Sequence, residues 1–114
     1  MTDSILDSVK KALGLAPDYE AFDADVIMHI NSAFSTLTQL GVGPVGGFAI
    51  DDATRTWVNF LGDKPEASFV KTYVYLKVRL AFDPPTTGFV ITSLEKQITE
   101  LEWRINIMYE NSKV

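Results

Sequence analysis

Residues 65–85 read Pro65-Glu66-Ala67-Ser68-Phe69-Val70-Lys71-Thr72-Tyr73-Val74-Tyr75-Leu76-Lys77-Val78-Arg79-Leu80-Ala81-Phe82-Asp83-Pro84-Pro85, and the fold turns on how they are read. The even positions from Val70 to Phe82 are mostly apolar, which is the alternation of a strand, and valine and tyrosine favour strands. Length argues for a helix, because strands typically run about 5–6 residues. Pro65 suits a first helical position, where the missing N–H costs nothing. Glu66 suits the positive end of a helix, and Lys77 and Arg79 suit the negative end. Asp83-Pro84 stops it, since a residue before proline avoids the helical region. The prediction is a helix ending at Phe82, although the alternation leaves a strand open. Phe69, Tyr73, Leu76 and Leu80 line one face, and Tyr75, Val78 and Phe82 another. Such a helix is either central in a core or covered by a partner.

Beyond the proline corner, Ile91, Leu94, Ile98, Leu101, Ile105 and Met108 follow a 3-4-3-4-3 spacing. That is the seam of a heptad helix, expected to pack on another helix of the same domain. Thr92 and Glu95 offer a capping box, or the helix begins earlier, near Thr87. Glu100 and Arg104 stand four apart in the favourable order.

Upstream, Asp3 is expected to cap a short helix carrying Ile5, Leu6, Val9, Ala12 and Leu13 on one face, with Gly14 at its C-terminal end. A second helix is expected from about Phe22 to Leu40. Its buried stripe is Phe22, Val26, Ile30, Ala33, Leu37 and Leu40, and Gly41 ends it. Gly41 to Gly47 reads as a flexible loop, and Phe48-Ala49-Ile50 as a short extended segment. Asp52 is expected to cap a short helix from Ala53 to about Leu61 that offers Trp57, Val58, Phe60 and Leu61 to the core. Asn106 to Val114 decays into a polar tail, placed at about residues 109–114. The fold class expected is mainly α: one domain over residues 1–114, four to five helices, a glycine-rich loop at 41–50 and a short extended segment.

Composition narrows the function. The 114 residues are 46% hydrophobic and 22% charged, which is globular, and the net charge of −5 argues against nucleic-acid or anionic-membrane binding by the isolated chain. A local basic strip around Lys71, Lys77 and Arg79 stays possible. The absence of cysteine removes disulfides, thiolate zinc sites and cysteine nucleophiles. The N-terminus does not read as a signal peptide. Val26 to Ile50 carries no formal charge, but His29, Asn31, Gln39, Pro44 and four glycines argue against a membrane span.

No catalytic constellation emerges, and no cofactor or metal is expected. Asp25 precedes the only histidine, His29, by one turn, yet a metal site needs more ligands and the stripe around them is polar. Asp18, Glu20, Asp23 and Asp25 lack the spacing of an EF-hand loop and suit a helix start. The glycines lack the order of a P-loop or dinucleotide site. Trp57 and Trp103 are expected mainly as core residues, with Trp103, beside the seam, the better candidate for an interface anchor. Phe82 and Phe89 flank the Asp83-Pro84-Pro85 corner and either pack on each other or project to a partner.

In this order of segments the chain resembles the head–tail connector (adaptor) family of tailed bacteriophages. The resemblance rests on Ile5 to Leu15, on the helix ending Leu37-Thr38-Gln39-Leu40-Gly41, on Leu76-Lys77-Val78-Arg79-Leu80-Ala81-Phe82-Asp83-Pro84-Pro85, and on Leu101-Glu102-Trp103-Arg104. The family pattern often lacks the glycine-rich insertion, so no role carries over to it. The resemblance implies a non-enzymatic virion protein, made in the host cytoplasm. It implies a subunit of a homo-oligomeric ring that docks on the portal, meets the next connector or a tail-completion protein, and passes DNA as non-specific cargo, with no membrane role. The contact residues expected are Phe48, Ile50, Tyr75, Val78, Phe82, Pro84, Pro85, Phe89 and Trp103, together with the C-terminal tail. The alternative is a helical adaptor that binds a peptide or partner helix in a groove beside the heptad seam.

Overall fold

A computed structural model describes residues 4–44, 46–62 and 67–111. The described residues form five helices: α1 (Ile5–Ala12), α2 (Asp23–Gln39), α3 (Trp57–Leu61), α4 (Ala67–Phe82) and α5 (Gly88–Asn111).

Local chemistry sets their ends. Ser4 caps α1, its Oγ accepting the Asp7 N–H at 3.2 Å. Asp3, the expected cap, lies outside the described residues. Both α1 and α2 close with the same six-residue motif. Gly14 takes φ +85° and Leu15 N–H returns to the Lys10 carbonyl at 2.8 Å. Gly41 takes φ +91° and Val42 N–H returns to the Leu37 carbonyl at 2.9 Å. Val42 is buried by this turn-back.

The third helix is shorter than expected and has a different cap. Asp52 instead accepts the N–H and hydroxyl of Thr54 in a local turn, and those two bonds, with Arg55 nearby, hold its carboxyl below the usual value. Helix α3 starts at Trp57, where Thr56 and Asn59 form a reciprocal capping box. Val58 then faces solvent, while Trp57, Phe60 and Leu61 enter the core. The expected extended segment is not a strand. The one β-bridge among the described residues joins Ser4 and Thr56, with Ile5 N–H donating to the Arg55 carbonyl at 3.0 Å.

Residues 67–82 are helical, which settles the ambiguity of the deciding stretch; Pro65 and Glu66 lie outside the described residues. The burial explains why the alternation misleads. Helix α4 is central, packed by α2, α5 and α1 on different sides. Val70, Tyr73, Val74, Leu76 and Val78 are all buried, so its apolar residues satisfy neighbours around much of its circumference. Helix α5 lies along α4 and presents the expected seam: Leu94, Ile98 and Ile105 are buried, and Ile91, Leu101 and Met108 partly so. The Tyr73 hydroxyl donates to Glu102 at 2.7 Å and ties the two helices together. Burial, then the bond to Glu102, pushes the Tyr73 hydroxyl well above its ordinary pKa.

Phe34 joins the two halves of the core. Its ring lies 4.5 Å from Phe60, 5.4 Å from Phe48 and 6.3 Å from Trp57, centroid to centroid. The Trp57 indole N–H donates to Ser8 Oγ at 2.8 Å, which fastens α3 to α1. The linker after α1 is held by Lys10, which is 1% exposed. Its Nζ reaches Asp23 Oδ1 at 2.7 Å and the Pro17 carbonyl at 3.0 Å.

Candidate interaction surface

The expected contact residues divide sharply. Ile50 and Val78 belong to the interior, at 4% and 0% exposure, and so offer no side chain to a partner. Ile50 is drawn in by Asn31, and Val78 by the central position of α4. Phe48 is half-buried in the aromatic cluster, with the Arg55 guanidinium 5.7 Å from its ring centre. Tyr75 is half-buried in a groove between α1, α3 and α4, shared with Ala12, Trp57 and Lys71. Its hydroxyl accepts from Arg79 at 3.2 Å.

The proline corner does not join Phe82 to Phe89. Phe82 turns inward to Phe22, with centroids 5.4 Å apart, and meets the His29 ring edge-on at 6.4 Å. Tyr19 continues this array at 5.8 Å from Phe22. Phe22, expected in the buried stripe of α2, is instead the residue just before the helix and is 41% exposed. Pro84 is exposed and Pro85 half-buried at the same end. Phe89 stands 86% exposed, and Trp103, expected mainly in the core, is 62% exposed because it lies off the α5 seam.

Phe89, Lys96 and Trp103 fall at intervals of seven along α5, on the side turned away from the seam. Thr92 and Thr99 lie between them, and Glu95 and Glu100 flank them. The ridge from Phe89 to Trp103 spans 15 residues, about 21 Å of helix at roughly 1.5 Å per step. Phe89 and Trp103 thus stand at the two ends of a solvent-facing ridge that is otherwise polar. The Arg104–Glu100 pair, at 2.8 Å, forms as expected and lies beside Trp103 on the exposed side.

A second outward surface lies on α2, where the sequence places a polar stripe around Asp25 and His29. Ala24, Asp25, Met28, Ser32, Ser35 and Gln39 are exposed, and Met28 is 58% exposed. No formal charge occurs from Val26 to Ile50, so this face is uncharged beyond its first turn. The charge-free run also raises the question of a membrane span. No helix among the described residues is long and apolar enough to cross a membrane. No cluster of three or more metal-ligating side chains occurs among them either.

As a class, the chain is a small, mainly α-helical bundle with a few large side chains exposed on α2 and α5. The comparison with protein families sharpens that class. A family described as phage connector protein matches residues 5–112, and the chain belongs to that family of structural phage proteins. No curated protein and no solved structure matches it.

Proposed function

We propose that the protein is a head–tail connector subunit of a tailed phage or prophage, assembling as a ring on the portal and continuing the DNA channel towards the tail. The family match over residues 5–112 carries this reading. The exposed Phe89 and Trp103 are compatible with it, since aromatics are enriched where proteins meet. The net charge of −5 also suits a channel through which DNA slides without sticking. The role is structural and calls for no catalysis. Its partners are other copies of the chain, the portal and the next connector or tail-completion protein. Its place is the head–tail junction of the virion. The test is to delete the gene in the producing phage and to supply either the natural chain or Trp103→Ala. Full heads without tails on deletion, rescued by the natural chain and poorly by the variant, are the expected result. Normal tailed particles without the chain would overturn the proposal.

A groove between α4 and α5, lined by Phe69, Thr72, Gln97, Leu101 and Arg104, favours a second reading as an adaptor for a partner helix or peptide. A chain that stays monomeric beside purified portal would favour that reading over the ring.

A further inference from the structure

We infer that the cleft between α2 and α4 is a binding site for a carboxylate, carried on the side chain of a glutamate or aspartate of a protein partner. This site stands whether or not copies of the chain form a ring. The cleft has a volume of about 320 Å³ and is lined by His29, Ser32 and Ala33 of α2 and by Lys77, Leu80 and Ala81 of α4. That is the lower end of small-ligand sites, which run about 300–1,000 Å³. Small side chains open it, since Ser32, Ala33 and Ala81 leave the space that larger residues would fill. Helices α2 and α4 make the most extensive helix contact of the bundle, so the two walls hold a fixed separation.

Three polar groups from two helices converge on this cleft. Lys77 brings an ammonium with three donors, Ser32 a hydroxyl, and His29 an imidazole that donates one N–H even when neutral. Among the described residues, none of these side chains is engaged in a hydrogen bond or an ion pair. Aromatic neighbours position two of them. The Phe82 ring meets His29 edge-on at 6.4 Å, and the Tyr73 ring centre lies 6.0 Å from Lys77 Nζ. A carboxylate is acceptor-only and can take all three donors at once. Its methylene stem finds Leu80 and the alanines as an apolar wall.

Charge selects an anion. The chain is acidic overall, yet α4 carries Lys71, Lys77 and Arg79 with no acid, and α2 carries no acid after Asp25, one turn before His29. On the neighbouring α5, Glu102 is bonded to Tyr73. The number of cations then favours a carboxylate over the phosphate backbone of DNA. DNA is held by neutralising several phosphates together. This cleft has one cation, because Lys71 lines the separate groove beside Trp57 and Tyr75, and Arg79 bonds the Tyr75 hydroxyl.

The test titrates the ¹⁵N-labelled full chain with the blocked pentapeptide acetyl-Ala-Ala-Glu-Ala-Ala-amide, with its glutamine counterpart, and with a twelve-base-pair DNA duplex. The expected result is saturable shifts of the Ser32, Ala33 and Ala81 amides with the glutamate peptide alone. Lys77→Met keeps the apolar stem and is expected to weaken binding about tenfold or more. Ser32→Glu, at an exposed position, is expected to occupy the cleft with its own carboxylate and block the peptide. Thermal midpoints confirm that both variants fold, and Lys96→Met on α5 is expected to bind as the natural chain does. Equal shifts with the glutamine peptide, or none with either peptide, would overturn the proposal. An equal loss in Lys96→Met would reduce it to diffuse charge attraction and overturn it too. Shifts of the same amides with DNA, lost in Lys77→Met and absent with the peptides, would replace the carboxylate with a phosphate.

Discussion

Asn31 holds Ile50 through both ends of its amide: Oδ1 accepts the Ile50 N–H at 2.8 Å, and Nδ2 donates to the Ile50 carbonyl at 2.9 Å. One side chain on α2 thus supplies the two bonds that a neighbouring strand would have made. This lets residues 48–50 run extended without a sheet and brings Ile50 to 4% exposure. Asn31→Ala leaves a buried N–H and carbonyl unpaired, and the expected cost is about 2–4 kcal/mol. A fall in the urea midpoint with faster exchange of the Ile50 amide is the expected result. An unchanged midpoint would show that the loop is held by Val42 and Phe48 alone.

The same contact marks where the sequence stopped being legible. Helices with their own periodicity and caps were readable, so Gly14 and Gly41, the seam of α5 and the Glu100–Arg104 pair fell where spacing put them. The long-range polar contacts were not. Nothing local says that Asn31, nineteen residues before Ile50, will pair with it, or that Phe34 rather than Leu40 completes the buried stripe of α2. Helix α3 was misplaced because Asp52 and Thr56 are both good caps, and Asn59 decides between them by bonding back to Thr56. Exposure was only partly legible: Trp103, expected mainly in the core, is outside it, while Ile50 and Val78, expected as contacts with Phe89, are buried, and hydrophobicity alone does not separate them. Burial of those two depends on which elements surround α4 and the loop, which is a tertiary fact.

Gly43 and Gly47 share a positive φ, +84° and +92°, but differ in what surrounds them. A Cβ at Gly43 would stand 2.5 Å from Cε1 of Phe60, a ring locked in the aromatic cluster. At Gly47 the nearest atom is Thr38 Oγ1 at 3.9 Å. Gly47→Ala is expected to cost about 1–2 kcal/mol from the backbone alone. Gly43→Ala adds overpacking, another 1–3 kcal/mol or so. Paired denaturation curves check the order, and equal losses would mean that Phe60 moves aside freely.

Lys10 is the buried cation of the fold's N-terminal half, and its partners fix the α1–α2 linker. Lys10→Met retains the apolar stem and removes the ammonium, whereas Lys10→Ala removes both. The Asp23 side chain keeps 27% exposure and can turn to water, which limits the loss below that of a fully buried pair. Lys10→Ala is therefore expected to cost about 2–4 kcal/mol and Lys10→Met about half as much. A double-mutant cycle with Asp23→Asn should give a coupling of about 1–2 kcal/mol. Zero coupling would assign the whole effect to packing of the stem.

Tyr73 gives the fold an alkaline limit. In the unfolded chain its hydroxyl ionises near pH 10 or so. In the folded protein, burial and the bond to Glu102 keep it protonated to higher pH. Above about pH 10 the unfolded chain therefore binds fewer protons than the folded one, and stability falls as pH rises. Below that pH both states hold the proton and the contribution is constant. Tyr73→Phe removes the ionisable group, so the decline above pH 10 should flatten relative to the natural chain. At neutral pH the variant should lose about 1–2 kcal/mol with the bond to Glu102, whose half-buried carboxylate then relies on water. Urea unfolding of both chains from pH 7 to 11 separates these effects. Parallel curves over that range would mean that Tyr73 ionises no later in the folded protein than in the unfolded chain.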